Sequence, residues 1–198
     1  MKKGTRLNRG VNDADYPISK GERINGKYKT TWTCPFYSRW KDMLKRCYSE
    51  NYHQQQPTYN DCTVCDEWLY FSNFKKWMEK QDWEGKQLDK DFLVKGNRVY
   101  SPDTCVFLHS KINSFFLDCG SNRGKYLIGV GWREDRGKFR ASCRDPFTGK
   151  WCHLGYFTSE EEAHEAWRLQ KKEHAIKLAE SEWVTEERVR AALQNWFI

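Results

Sequence analysis

Long apolar runs are missing from the sequence. No stretch approaches the roughly 20 apolar residues that a membrane-spanning helix needs, and the basic N-terminus is not followed by the apolar segment of a secretory signal. We therefore expect neither a membrane span nor secretion. Hydrophobic residues make up only 38% of the 198 residues, but ten Trp, ten Tyr and eleven Phe compensate. Because each aromatic side chain buries a large area, we expect one or two small domains with aromatic cores and no internal repeat.

The eight cysteines lack the spacing of a complete metal site or a disulfide framework. Cys62 and Cys65 have the CxxC spacing of half a zinc site, but no second CxxC or HxxxH pair follows. Cys34 and Cys47 could complete four ligands, although no spacing rule selects them. Without a secretory signal the thiols are expected to be reduced, and small buried side chains are the simpler interpretation. We expect no tightly bound zinc.

Acidic charge is scarce in two segments of the chain. Residues 1–47 contain twelve Lys and Arg against four Asp and Glu, a net charge of +8. Residues 120–155 contain eight Lys and Arg against three Asp and Glu, a net charge of +5, and the remainder of the chain is net acidic. Two basic blocks favour a polyanion such as nucleic acid as the partner. A merely soluble basic surface is the alternative.

The N-terminal half predicts a basic arm followed by two helices. Residues 1–33 show no sustained period and predict an irregular arm. Pro35 opens a helix whose apolar residues recur at helical spacing; they are Phe36, Trp40, Met43, Leu44 and Cys47. A second helix is predicted from Asp66 to about Lys80, with an apolar side formed by Trp68, Phe71, Phe74 and Met78. These aromatic residues are expected to be core.

A β-hairpin and a short helix are predicted next. Leu88–Val94 alternates as a strand, Lys95-Gly96-Asn97 is a turn signal, and Val99-Tyr100 resumes the extended chain. The segment from Cys105 to about Phe116 should end in a short helix. Residues 119–124 have the composition of a linker.

Three strands and two helices are predicted in the C-terminal half. The strands are residues 126–132, 138–144 and 150–157, separated by hairpin-type loops. Ser159 and Glu162 form a capping box that starts a helix ending near Glu180. A last helix is expected within residues 184–198. The fold class predicted for the whole chain is α+β.

The middle strand of this sheet predicts one apolar and one basic face, since side chains alternate across a strand. Its two alternating sets are Phe139, Ala141 and Cys143 on one side and Arg140, Ser142 and Arg144 on the other. The helix after Ser159 can cover the apolar face through Ala163, Ala166 and Trp167. The other face would then be free to lie in a DNA groove. An ordinary half-solvated sheet is the alternative.

This segment resembles the APETALA/ethylene-response-factor DNA-binding domain. The motifs occur in the family's order: Gly129-Val130, Trp132-Arg133, Lys138-Phe139-Arg140-Ala141, Arg144-Asp145-Pro146, Leu154-Gly155-Tyr156-Phe157 and Glu161-Glu162-Ala163. The resemblance implies that the sheet docks in the major groove of double-stranded DNA. Ile128 and Gly131 stand where many plant members have arginine, so a different target sequence is expected.

The resemblance and the strand parity together give the predicted DNA-contacting residues. Arg133 and Arg144 match arginine positions of the family's binding face, and Ser142 and His153 match other contacting positions. Arg140 is added because it lies on the same side of the strand. The full predicted set is Arg133, Arg140, Ser142, Arg144, Lys150 and His153.

Residues 31–117 resemble phage proteins described as HNH endonucleases, some of which carry the same C-terminal domain. The matching positions are Trp40, Met43-Leu44, Arg46-Cys47-Tyr48, Pro57-Thr58-Tyr59, Trp68-Leu69, Phe71, Phe74, Trp77, Leu88-Asp89-Lys90-Asp91, Gly96-Asn97, Tyr100-Ser101-Pro102, Cys105 and Asn113. The resemblance implies a ββα hairpin and helix holding one divalent ion, Mg²⁺ or Mn²⁺, that activates water and stabilises charge on the phosphate.

Carried over by position, the HNH pattern is incomplete in this chain. Asp89 takes the place of the strand ligand and Asn113 that of the helix ligand, with Asp91 as a possible second carboxylate. The position of the general base is Lys90, which is a poor base because an ammonium is protonated at neutral pH. His109 could replace it. The alternative is a nuclease scaffold that has kept only DNA binding.

The sequence thus predicts a basic arm at 1–33, an HNH-like domain at 34–118, an APETALA-type domain at 125–180 and a C-terminal helix at 184–198. The expected function is a phage-type, metal-dependent DNA endonuclease or nickase acting in the cytoplasm of a host cell. The alternatives are a DNA-binding regulator without catalysis and an interaction module that binds an acidic host protein.

Overall fold

The computed structural model describes residues 9–116 and 125–196 of the chain. The protein is a mixed α+β structure in which helices accompany several small sheets. It divides into two compact units: the first comprises the chain up to Glu84 and Leu88–Phe107, and the second comprises Gly85–Gln87 and the chain from Leu108 on. The predicted linker at 119–124 lies outside the described residues.

The predicted irregular arm is wrong for its second half, which forms a β-hairpin. Strands β1 (Ser19–Ile24) and β2 (Lys27–Thr33) pair antiparallel. Between them Asn25 and Gly26 both have positive φ angles, 51° and 76°. Two left-handed residues give the tight turn whose twist matches a hairpin, and Asn-Gly is the sequence that favours it. That dipeptide was the local signal for the hairpin.

The two predicted N-terminal helices form, although the second is shorter than expected. Helix α1 (Pro35–Tyr48) buries the residues that share its apolar side, Trp40, Met43, Leu44 and Cys47. An additional short helix that was not predicted, α2 (Glu50–Gln55), follows α1. Its N-cap residue is Ser49, whose side chain accepts a hydrogen bond from the Tyr52 N–H. Such a cap satisfies a backbone donor that would otherwise lack a partner.

The predicted helix from Asp66 to about Lys80 is interrupted at Tyr70. A 3-10 turn (Asp66–Leu69) precedes Tyr70, which is extended, and helix α3 (Phe71–Met78) follows. Val11 forms a β-bridge with Tyr70 at this break. The Val11 N–H donates to the Leu69 carbonyl, and the Val11 carbonyl accepts the Phe71 N–H. The expected apolar side is confirmed: Trp68, Phe71, Phe74 and Met78 are each at most 1% exposed and belong to the core of the first unit.

The predicted hairpin around Lys95-Gly96-Asn97 does not form. Strand β3 (Thr63–Val64) pairs in parallel with β5 (Val99–Tyr100), whereas β4 (Gln87–Asp89) pairs with β6 (Val106–Leu108). The extended segment stops at Asp89 because its carboxylate accepts hydrogen bonds from the next N–H groups of the chain and turns the backbone there. Helix α4 (Ser110–Phe115) follows β6.

The second unit contains the predicted three-stranded antiparallel sheet, in the order β7 (Val130–Arg133), β8 (Lys138–Arg144) and β9 (Trp151–Phe157). Helix α5 (Glu160–Ala179) begins at the predicted capping box, with both reciprocal hydrogen bonds present. Helix α6 (Glu187–Gln194) follows. Among the helices that the structure describes, none combines the length and apolar character that crossing a bilayer requires.

Candidate nucleic-acid interface

One face of the three-stranded sheet is covered by helix α5. Ala141 and Cys143 of β8 are 0% and 1% exposed, and on the helix Ala163 and Trp167 are 0% and 5% exposed. The imidazole Nδ1 of His174 lies 3.7 Å from the Cys143 sulfur. Because side chains alternate along a strand and Ala141 and Cys143 of β8 face the helix, the intervening side chains lie on the opposite face.

We call that opposite face the outer face, and the strand register defines its members. Residues directly opposite each other in neighbouring strands share a face. Arg133 pairs with Lys138, Arg144 pairs with Trp151, and Ser142 pairs with His153. The complete outer face comprises Gly131, Arg133, Lys138, Arg140, Ser142, Arg144, Trp151, His153 and Tyr156.

The outer face combines positive charge with an exposed aromatic ring. Four of its nine residues are Arg or Lys and none is acidic. Trp151 is 71% exposed, the largest exposure among the exposed large hydrophobic residues of the structure's described part. Exposure of a tryptophan to this extent leaves apolar area uncovered, and the cations beside it can bind anions. Such a combination suits a partner that offers both phosphates and flat apolar surfaces.

The arginines of the outer face are held by weak local contacts. The Nε of Arg133 donates to Asp135 at 3.1 Å, and the Nε of Arg144 donates to the Gly149 carbonyl at 2.9 Å. An exposed ion pair contributes at most about 1 kcal/mol, so a phosphate can compete for the guanidinium of Arg133. The Nε of Arg140 is buried and has no hydrogen-bond partner among the described residues.

The structure brings five of the six predicted DNA-contacting residues to this face: Arg133, Arg140, Ser142, Arg144 and His153. Lys150 instead precedes β9 in the turn and is exposed there. The predicted contact set left out Lys138, Trp151 and Tyr156. Strand parity assigns Lys138 and Trp151 to this face, and Trp151 alternates with Cys152 on the same side as His153. Strand parity could not have found Tyr156, because a bulge at Leu154 reverses the parity of β9.

The residues of the HNH-like pattern fall in both units. Asp89, Lys90 and Asp91 belong to the first unit, whereas His109 and Asn113 belong to the second. Burial, and then the charge of Asp91, raise the pKa of Asp89. Its Oδ1 accepts hydrogen bonds from the N–H groups of Asp91 (3.0 Å) and Phe92 (2.7 Å). The carboxylate therefore shapes the backbone as well as carrying charge.

Lys90 is held in a way that suits a structural role. Its side chain is buried, and the ammonium lies 3.2 Å from the Asp91 carboxylate. The rings of Tyr59 and Tyr100 have their centroids 5.4 Å and 5.9 Å from the same nitrogen. An ion pair and two aromatic rings therefore hold the Lys90 side chain in place. These contacts favour a structural role for Lys90.

His109 and Asn113 are positioned by helix α4 in the second unit. His109 is the N-cap residue and not part of the helix, and its Nδ1 accepts the Lys111 N–H. Burial, and then the nearby Lys111 and Lys86 charges, lower the pKa of His109, which favours the neutral ring. The Asn113 amide donates to the Gln87 side chain at 2.5 Å, which leaves its oxygen for another partner.

Cys62 and Cys65 differ in exposure. Cys62 is 2% exposed and its sulfur lies 4.0 Å from the Thr58 carbonyl oxygen, while Cys65 is half-buried. Burial raises the pKa of the Cys65 thiol and so disfavours the thiolate that zinc requires. Within residues 9–116 and 125–196, no three His, Cys, Asp or Glu side chains are grouped so that they could hold a metal ion.

We therefore predict that the purified protein holds no tightly bound zinc, because a lone CxxC pair supplies only two of the four ligands that a structural zinc site needs. Elemental analysis of chelator-washed protein should give well under one zinc per chain. The substitution Cys65→Ser should leave the melting temperature almost unchanged. One zinc per chain that is lost in Cys65→Ser would show instead that these cysteines bind metal.

Comparison with known proteins found no relative of this chain. No protein-family model, no curated protein and no solved structure matches the chain.

Proposed function

We propose that the second unit binds double-stranded DNA through the outer face of its sheet. The observation that carries the proposal is the asymmetry of the sheet: one face is buried against α5, and the other presents four cations and Trp151 without an acidic residue. Phosphate neutralisation supplies much of the affinity of proteins for DNA. A sheet of this width can enter the major groove, where arginine side chains read base edges.

The local chemistry of the outer face fits the two kinds of contact that DNA requires. Arg144 and Trp151 are direct cross-strand partners, so a cation and an aromatic ring lie side by side. Arg133 and Lys138 form a second cationic pair at the other end of the sheet. Cations at both ends suit the two phosphate backbones that border a groove, while the central residues face the bases. The resemblance to the APETALA-type domain supports the same mode of docking.

Removing single arginines of the outer face should weaken this binding. We expect Arg133→Ala and Arg144→Ala each to cost about 1–3 kcal/mol, or roughly 5- to 150-fold in affinity, because each substitution removes a cation that would bind base or phosphate. Fluorescence anisotropy on a duplex obtained by selection, at one fixed salt concentration, measures the change. Lys177→Ala on α5 removes the same charge from the same unit and serves as the control.

Unchanged affinity in both arginine variants would contradict the proposal. So would an equal loss in Lys177→Ala, because the effect would then reflect net charge. A competition experiment tests the acidic-protein alternative. If an acidic polypeptide displaces the labelled duplex at a lower concentration than unlabelled duplex does, the partner is an acidic protein and not DNA.

We propose metal-dependent cleavage of DNA as a second function, on one specific observation. Asp89 is partly buried, and this burial and then repulsion by the nearby Asp91 charge raise its pKa. Mg²⁺ and Mn²⁺ prefer carboxylate oxygens, and such an ion would relieve this repulsion. The resemblance to HNH proteins supports a divalent ion at these two carboxylates, while Asn113 and His109, which the same resemblance singles out, lie in the other unit. The chain order of the paired strands β4 and β6 followed by α4 is compatible with a ββα unit.

Incubation with supercoiled plasmid tests this second function. An endonuclease or nickase should convert the plasmid to open-circular or linear form with Mg²⁺ or Mn²⁺, and a chelator should stop the reaction. Binding to the same plasmid without any conversion would leave a DNA-binding regulator on a nuclease-like scaffold.

A further inference from the structure

The hairpin β1–β2 of the first unit is largely exposed, although Thr30 and Thr33 line a cavity together with Tyr37 and Lys41 of α1. All seven residues of β2 are exposed, and so are five of the six residues of β1. Its base is fixed: the Cys34 N–H donates to the Ile18 carbonyl at 2.8 Å, and Cys34 itself is 3% exposed. A ribbon with both faces in water contributes little to the core. Its exposure therefore calls for an explanation other than stability.

The hairpin is also well ordered by its own contacts. The Asn25-Gly26 turn fixes the tip. Tyr28 lies across Gly21, where a Cβ atom would come within 2.7 Å of the tyrosine Cζ. On the other face the Lys20 ammonium lies 5.7 Å from the centroid of the Trp32 ring. A ribbon that is already ordered loses little conformational entropy when it binds a partner.

Charge along the hairpin is strongly one-sided. Its two strands contain four cations, Lys20, Arg23, Lys27 and Lys29, against one carboxylate, Glu22. Among residues 9–116 and 125–196, none of Arg23, Lys27 and Lys29 has an acidic partner within ion-pair distance. Such unpaired exposed cations favour a polyanionic partner.

The distribution of the aromatic side chains separates the candidate partners. The register places Tyr28 with Arg23 on one face of the ribbon, and Trp32 with Lys20 on the other. Neither face therefore has the continuous apolar patch that a docking protein would cover. Both faces carry a cation beside an aromatic ring, which suits a partner with anionic walls on both sides of the ribbon. The major groove of duplex DNA has this form and admits a two-stranded ribbon.

We propose that the hairpin β1–β2 is a second DNA-binding element, which enters a groove of duplex DNA and contacts phosphates on both sides. The hairpin lies in the first unit and the outer face in the second. The two proposals name the same partner, duplex DNA, but rest on different residues. Arg23, Lys27 and Lys29 contact phosphates, while Tyr28 and Trp32 contact sugars and base edges.

The salt dependence of duplex binding tests the phosphate contacts. The triple variant Arg23→Gln, Lys27→Gln and Lys29→Gln should reduce the slope of log affinity against log salt by about 0.9 for each phosphate that the variant no longer neutralises, up to about 2.7. The matched control is Lys76→Gln, Lys80→Gln and Lys95→Gln, which removes three exposed cations from the same unit. The control should change the slope by less than about 1.

Photo-crosslinking of the unaltered protein tests the position of the hairpin without any substitution. With 5-bromodeoxyuridine in the duplex, the crosslinked peptide should contain Tyr28 or Trp32. Running Arg144→Ala in parallel separates this proposal from the one for the outer face. One outcome overturns the hairpin proposal and leaves the proposal for the outer face intact. In that outcome Arg144→Ala weakens duplex binding, the hairpin triple variant keeps the wild-type slope of log affinity against log salt, and no crosslinked peptide comes from the hairpin. An equal slope change in the control triple variant also overturns it. Absence of any duplex binding by the wild type overturns both proposals.

Discussion

Replacing Asp89 by asparagine should abolish DNA cleavage while preserving the fold. The amide oxygen of asparagine can still accept the Asp91 and Phe92 N–H groups that Asp89 accepts in the structure. The substitution therefore keeps the turn and removes only the charge that a divalent ion would bind. We expect plasmid nicking to fall by about 10³-fold or more, which corresponds to roughly 4 kcal/mol of transition-state stabilisation.

Thermal stability distinguishes this effect from misfolding. Burial and the Asp91 charge raise the pKa of Asp89, so the folded protein holds this proton at pH values where the unfolded chain has lost it. Stability then falls as pH rises from the ordinary carboxyl pKa to the raised value, and the loss persists above it. Asparagine does not ionise, so Asp89→Asn should melt at the same or a higher temperature than wild type at pH 7.

The control for this experiment is Asp61→Asn, which neutralises an exposed carboxylate of the same unit. It should nick plasmid at the wild-type rate. Cleavage by Asp89→Asn at the wild-type rate would remove Asp89 from the site. A wild type that nicks nothing, even with Mn²⁺, would rule out the endonuclease function and leave the DNA-binding proposals unaffected.

The substitution Gly129→Ala should destabilise the second unit by about 3 kcal/mol or more. Gly129 has a φ of +81°, a conformation that costs other residues about 1–2 kcal/mol. A Cβ atom there would also lie 2.1 Å from Cδ1 of Trp167, which is 5% exposed between helix and sheet. Overpacking of this kind typically adds about 1–3 kcal/mol, because neither the backbone nor the indole can move without disturbing the core.

Gly131→Ala is the matched control two residues further along. Gly131 lies on the outer face, and a Cβ atom there would meet no atom within 4 Å. Its free energy of unfolding should stay within about 0.5 kcal/mol of wild type. Urea denaturation followed by tryptophan fluorescence measures both variants. Equal stability of Gly129→Ala and wild type would show that the strand and helix do not approach as the structure has them.

Local patterns predicted much of this structure. The apolar spacing from Trp40 to Cys47 predicts α1 and its buried side, because a helix presents every third or fourth residue to one neighbour. The capping box predicts the start of α5, since both of its hydrogen bonds form between residues three positions apart. Alternation along β8 predicts the buried and the outer face. In each case the cause lies within a few residues of its effect.

The residues of the candidate site could likewise be predicted only where they follow from the alternation along a single strand. Arg140, Ser142 and Arg144 could be assigned to one face because they lie on one uninterrupted strand. Tyr156 was missed because a bulge is a property of two paired strands and leaves no periodic signal in one of them. The aromatic contacts of Lys90 likewise depend on Tyr59 and Tyr100, which are far from it in the chain.

The fold class, the helices with clear apolar periodicity and the two-faced sheet follow from short-range spacing along the chain, so they could be predicted from residue order. Which strands pair, and where each element ends, depends on contacts between segments that are distant in the chain. Val11 interrupts the predicted helix at Tyr70, and β5 pairs with β3 instead of with the segment after Asp89. Many segments have compatible hydrogen-bonding edges, so the choice among them is made by the packing of the whole chain and not by any one segment.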